Sequence, residues 1–311
     1  MIENNTETNP LQLLRNRLRQ WLAARASGSL FAVYCVVAAF TTYFCMYAFR
    51  KPFTAGEYAD EMLWGIGYKT ILVAAQVSGY TISKFIGIKV ISEMPARRRA
   101  VSIVALIAVA EVALLLFAII PTPWNFPLLF LNGLPLGMVF GLVLSFLEGR
   151  RLTEALSAGL CASFIVASGV VKSVGRALIV YLGVSEYWMP FLTGLIFVGP
   201  LLVGVVMLSQ IPLPTADDNL ARCERRPMMK ADRMAFFRRH AVGLMGLVAI
   251  YILLTIVRSI RDDFAVEIWA DLGHNGAPGV FAASEIAVML GVVVINGATV
   301  WIRRNRSAFL G

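Results

Sequence analysis

Long apolar runs alternate with short polar stretches along most of this chain. Each run is close to the roughly 20 residues that a helix needs to cross about 30 Å of hydrocarbon. Eight are read, at about 29–50, 67–90, 101–120, 126–147, 155–182, 188–209, 241–260 and 279–301. In hydrocarbon every backbone amide and carbonyl needs an internal partner, and a continuous apolar run meets that need as a helix. The pattern predicts an all-α integral membrane protein of about eight transmembrane helices. Residues 1–28 are polar, with Arg15, Arg17, Arg19 and Arg25. They do not read as a signal peptide, because the following run is too long and lacks a small-residue cleavage site. Leu11, Leu14, Leu18 and Trp21 fall on one side of a short amphipathic helix suited to the membrane surface.

Composition agrees: of 311 residues 58% are hydrophobic and 15% charged, whereas soluble domains carry about 25% charged residues. The net charge of +9 gives no nucleic-acid signal, since the basic residues lie mostly between apolar runs. One set of loops carries Arg97–Arg99, Arg150, Arg151, a basic stretch from Arg222 to Arg239, and Arg303, Arg304 and Arg306. The other carries Glu57, Asp60, Glu61, Glu186, Asp262, Asp263, Glu267 and Asp271. The sets alternate, and the positive-inside rule puts the first, with the N-terminus, in the cytoplasm. A multi-pass protein of the inner membrane is expected. Cys35, Cys45, Cys161 and Cys223 form no CxxC, and His240 and His274 lie outside the apolar runs. Without zinc-ligand spacing, a P-loop or a GxSxG elbow, no metal, cofactor or enzymatic activity is expected.

The longest loop, about 210–240, holds Pro212, Pro214, Asp217, Asp218 and many arginines. It separates a six-helix bundle at 29–209 from two helices within 241–311, the layout of a six-plus-six transporter begun and not finished. Two readings are open: an eight-span protein, or a second bundle cut after two of its six helices. The ending Ser307-Ala-Phe-Leu-Gly311 resembles the start of another run and favours the second.

Charges at bilayer depth cost a few kcal/mol on the mildest scale and face the protein interior. The runs contain Lys84, Lys172, Arg176, Arg258 and Glu285, with Arg50 and Lys51 closing the first and Lys69 opening the second. Bland alternatives stand beside each. Lys69, Arg176 and Lys84 can snorkel to an interface, Arg50 and Lys51 can anchor one, and Arg258 can pair with Asp262 one turn on. Lys172 lies too deep to snorkel easily. Tyr43, Tyr47 and Arg50 share one side of the first helix; Gln76, Tyr80 and Lys84 share one side of the second. Such stripes suit a water-filled cavity, and converging cations make it an anion site. Arginine donates two parallel hydrogen bonds, the usual grip on phosphate. Glu285 is read as a gate, a coupling residue or a static bridge.

Tyr47-Ala-Phe-Arg-Lys-Pro-Phe53 resembles the end of helix one in the organophosphate:phosphate antiporters of the major facilitator superfamily. Tyr80-Thr-Ile-Ser-Lys-Phe-Ile86 resembles helix two, and Phe130-Leu-Asn-Gly with Gly137-Met138 resembles helix four. Arg258 with Asp263 resembles helix seven, and Ser284-Glu285 the acidic position of helix eight. The resemblance implies a major-facilitator-like bundle in which Arg50 and Arg258 clamp a substrate phosphate, Lys84 adds a third charge, and Tyr43, Tyr47 and Tyr80 hydrogen-bond it. Glu285, Lys172, Asp263 and Lys51 become candidates for gating or coupling. The sequence departs from the family at helix five, where Cys161-Ala-Ser163 replaces a histidine and Lys172 is added. The basic run Arg97–Arg99 also lacks the superfamily's Asp-Arg pattern. The expected function is secondary transport of a small anionic metabolite; the alternative is a transporter-like sensor that binds an anion without moving it. The oligomeric state is not legible.

Overall fold

The computed structural model describes residues 17, 19–22, 24, 28–59, 61–148, 153–212, 230–274 and 277–299. Leu11, Leu14 and Leu18 of the surface helix, Asp60, Arg150, Arg151, Cys223, residues 213–229 and the end from 300 lie outside the described residues.

The apolar runs are helices. In chain order they are α1 Ser29–Met46, α2 Tyr68–Ser92, α3 Ala96–Ile119, α4 Phe126–Leu147, α5 Thr153–Leu182, α6 Met189–Gln210, α7 Lys230–Asp263, the short α8 Ala265–Asp271, and α9 Gly279–Thr299. The first seven are long and apolar enough to cross a membrane. The described apolar part of α9, Gly279–Val292, is shorter, where the sequence pattern predicts an eighth span. Prolines open α4 and α6, where the missing amide would have had no intrahelical partner. Three boundaries differ most from expectation: α1 ends at Met46 rather than near 50, α3 begins at Ala96 rather than near 101, and α7 begins at Lys230 rather than near 241. The first turns of α7, rich in Arg and Phe, continue into the apolar run through a non-helical residue, His240.

The helices pair in a regular way. α1 packs on α5 and α6, α4 packs on α2 and α3, α3 also meets α6, and α1 touches α4. α5 also meets α6 and α4; apart from these two pairings, exchanging each of α1, α2 and α3 with the helix three later maps the set onto itself. The closest crossing is α2 on α4. A Cβ at Gly133 would overlap the Gln76 carbonyl and lie 2.9 Å from the Tyr80 nitrogen; one at Gly79 would overlap the Phe130 carbonyl. Small residues are what let backbones approach in lipid, where no hydrophobic force drives helices together. α9 packs on α5 at Gly169. By contrast α7 is exposed along most of its length and meets the rest through its last residues.

Loops 51–67, 120–125, 183–188 and 264–278 share one end, here called the acidic end. A two-strand hairpin, β1 Met62–Leu63 against β2 Ile66–Gly67, turns at Trp64 and Gly65, both with positive φ, as a type I′ turn requires. Exposed Trp64 and Trp124 mark this end as an interfacial level. The Glu186 carboxylate accepts the backbone amides of Glu57 and Tyr58 at 2.9 and 2.8 Å. Burial first, and then Glu186, hold the Tyr58 hydroxyl well above the usual phenol range, so it remains a donor, here to the Glu186 carbonyl at 3.2 Å.

Gly133→Ala should lower stability by about 1–3 kcal/mol through overpacking at the α2–α4 crossing. Gly199→Ala, with open space around it, should be neutral. Thermal midpoints in detergent, wild type against each variant, check this.

Candidate functional site

The first helix breaks where the sequence places its polar stripe. After α1 the chain tightens into a 3-10 turn at Tyr47–Phe49, and Pro52 opens a second at Pro52–Ala55. Pro52 has no amide with which to continue the helix, and Arg50 and Lys51 lie between the two turns. A break inside a membrane protein frees backbone carbonyls, which must be satisfied by the protein. Two amides from neighbouring helices do this. Gln76 on α2 donates to the Arg50 carbonyl at 2.6 Å and to the Asn132 side-chain oxygen at 2.9 Å. Asn132 on α4 donates to the carbonyls of Phe49 at 2.9 Å and Ala110 at 3.0 Å. Gln76 lies eight residues into α2, roughly 12 Å from its acidic end at 1.5 Å per residue.

Held by this network, the Arg50 guanidinium carbon lies 3.9 Å from the Tyr80 ring centroid and 5.8 Å from that of Tyr47. The Lys84 ammonium lies 4.9 Å from the same Tyr80 ring. Both cations therefore face one aromatic quadrupole. Tyr43 is buried next to Tyr47, ring centroids 5.7 Å apart, and packs on Phe140 and Phe164 at 5.5 and 4.8 Å. Arg50 Nε is buried with no hydrogen-bond partner. Among the described residues neither Arg50 nor Lys84 forms an ion pair.

The neighbouring cations are all neutralised. Lys51 bridges Asp262 at 2.7 Å and Asp263 at 2.5 Å. Lys172 meets the Asp262 carboxylate at 2.5 Å and also its carbonyl. Ser168 donates to the same carboxylate at 2.5 Å. Lys69 pairs with Glu267 at 2.6 Å and Arg176 with Glu57 at 2.7 Å. So Lys69 and Arg176, for which snorkelling was a reading, are in ion pairs. Together these contacts fasten the last turn of α7 and the start of α8 to α5, α2 and the broken end of α1. Glu285 on α9 pairs with Arg261 on α7 at 2.8 Å.

Arg50, Lys84, Tyr43, Tyr47 and Tyr80 thus come together, and Lys51, Lys172 and Asp263 form a second cluster beside them. Arg258 joins neither. It is exposed on α7 and makes no ion pair or ring contact among the described residues. The alternative, a bridge to Asp262 one turn on, does not form, because that carboxylate is turned to Lys51 and Lys172. Two further residues escaped the sequence reading. Asp262, taken there as a loop acid, is the hub of the ion pairs. Glu111 lies buried inside α3 with neither carboxylate oxygen hydrogen-bonded; one acid inside an apolar run was the available signal. Among the described residues no group of three His, Cys, Asp or Glu side chains is placed to hold a metal ion.

Residues 52–311 match a protein-family model described as "Family of unknown function (DUF5690)", and the chain belongs to that family. No curated protein and no solved structure matches it.

Removing one partner of a buried pair leaves an uncompensated charge, at about 3–5 kcal/mol. Asp262→Asn strips Lys172 of its carboxylate and should cost close to that. Asp263→Asn should cost much less, because Lys51 keeps Asp262. Equal shifts of the two thermal midpoints would contradict this hierarchy.

Proposed function

We propose that this chain is a secondary transporter of a small anion of the phosphate or organophosphate class. In this reading it works by alternating access in the cytoplasmic membrane, with its N-terminus in the cytoplasm and its acidic end outside. One observation carries the reading. Arg50 has no carboxylate partner among the described residues, while Lys51, Lys69, Lys172 and Arg176 each have one. An unneutralised guanidinium at this depth is unfavourable, and an anion arriving with the substrate relieves it. Arginine's planar fork suits phosphate, Lys84 adds a second positive charge, and the hydroxyls of Tyr43, Tyr47 and Tyr80 supply donors. Two cations around a dianion are nearly neutral, which lowers the cost of moving it.

Three features support alternating access. Most of the helix pairings, all but α5 with α6 and α4 with α5, follow a three-helix exchange, as inverted repeats would. The site lies beside a broken helix, the usual position for substrate sites in such folds. The Lys51–Asp262–Lys172 cluster, with Asp263, holds α7 against the bundle at the acidic end, so it is the gate on that side. Closure of α7 along its length is the step that would bring Arg258 to the anion. The resemblance to the organophosphate:phosphate antiporters of the major facilitator superfamily points the same way.

In proteoliposomes loaded with phosphate, wild type should exchange labelled phosphate for external phosphate. Arg50→Ala should reduce exchange by at least about tenfold, the effect of losing roughly 1.4 kcal/mol of a charge-assisted contact, and Arg50→Lys should retain part of it. Undiminished exchange by Arg50→Ala would overturn the assignment. Phosphate binding to wild type without any exchange would favour the sensor reading.

A further inference from the structure

Glu111 has no part in the anion cluster, and its position is unusual. It lies eight residues before Ile119, roughly 12 Å along α3 from the acidic end at 1.5 Å per residue. Its residue exposure is 9%, and both carboxylate oxygens are buried with no hydrogen-bond partner. The recess it fills is made by a glycine on α6. A Cβ at Gly194 would overlap one carboxylate oxygen and lie 2.8 Å from the other. The carboxyl therefore occupies space that exists only because residue 194 has no side chain.

Its surroundings offer it no counter-charge. α3 packs on α4, on α6 and on the 3-10 turn at Tyr47–Phe49. Neither α4 nor α6 contains a single Asp, Glu, Lys, Arg, His, Tyr or Cys. The turn contributes one titratable group, Tyr47, which is engaged with Arg50 and Tyr43. An ionised carboxylate enclosed in this way, without cation or donor, is strongly disfavoured. A metal ion would need several oxygen ligands, and no second acid stands on the facing helices. A proton is the cation that this site can hold.

We propose that Glu111 is a membrane-embedded proton-binding site, protonated in the conformation described and ionised when α3 and α6 part at the acidic end. On release the O–H bond breaks, the electron pair stays on the carboxylate, and the proton passes to water. A cavity of about 240 Å³ lies at the acidic ends of the same two helices, lined by Ile119, Asn125, Tyr187 and Trp188 among others, and offers water the nearer route. Glu111 also has a physical link to Arg50. The carbonyl of the preceding residue, Ala110, accepts from Asn132, whose own oxygen accepts from Gln76, the donor to the Arg50 carbonyl. The proton site rests on the burial and partner set of Glu111, and stands or falls independently of the anion reading.

Infrared difference spectroscopy of the full chain in liposomes, stepped between neutral and alkaline pH, tests it. Wild type should show the carbonyl stretch of a protonated carboxylic acid at neutral pH and lose it at alkaline pH. The band should be absent from Glu111→Gln and displaced in frequency in Glu111→Asp, which keeps the acid if the glutamine variant fails to fold. A spectrum unchanged by both substitutions would show that Glu111 is ionised or partnered, and would overturn the proposal. So would a Glu111 band that persists at alkaline pH, since a carboxyl that never releases its proton is a static part of the core.

Discussion

The ion pairs that Asp262 makes with Lys51 and Lys172 are the contact on which the arrangement of this membrane protein depends. A charge removed from water is tolerated only when another charge and further hydrogen bonds replace the solvent. Asp262 meets two ammonium groups and the Ser168 hydroxyl, and it lies at the end of a helix otherwise clear of the bundle. These contacts therefore fix where α7 meets α1 and α5. The same charge balance sets Arg50 apart. With the nearby acids engaged by Lys51, Lys69, Lys172 and Arg176, none of the described carboxylates forms an ion pair with its guanidinium, which rests on the Tyr80 ring.

Arg50 reaches that ring because α1 does not run straight through. The two 3-10 turns around Arg50 and Lys51 expose carbonyls that Gln76 and Asn132 satisfy. Those two amides stand on α2 and α4, the pair of helices brought closest by Gly79, Gly133 and Gly137. Tight packing, backbone satisfaction and side-chain direction are thus one device. Loosening the α2–α4 crossing would move Gln76 and Asn132, and with them the cation.

Much of this was legible in the sequence, for physical reasons. Hydrocarbon thickness limits run length, so the run at 126–147 coincides with α4. Helical spacing put Tyr43, Tyr47 and Arg50 on one face and Gln76, Tyr80 and Lys84 on another; the two groups do meet, although Arg50 gets there through the break after α1 rather than along a helical face. Spacing also suggested Arg258 with Asp262, four residues apart, and there it failed. Lys51 lies more than two hundred positions from its acids, and no local rule reports that α7 docks by its final turn. Gln76 read as one more polar group in a cavity, since the break in α1 that gives it a backbone partner has no signature beyond Pro52. Glu111 is legible as the one acid inside the apolar run at 101–120.

Anion transport by this chain requires that Arg50 be free for an anion. The most direct measurement is the thermal midpoint of detergent-purified protein as inorganic phosphate is raised, for wild type and Arg50→Ala at equal ionic strength set with chloride. A ligand that binds the folded state alone stabilises it by an amount that grows with concentration over Kd. The midpoint should climb with phosphate in wild type and stay flat in Arg50→Ala. Equal climbs in both proteins, or none in wild type, would contradict this and make Arg50 a structural cation held by its aromatic neighbours.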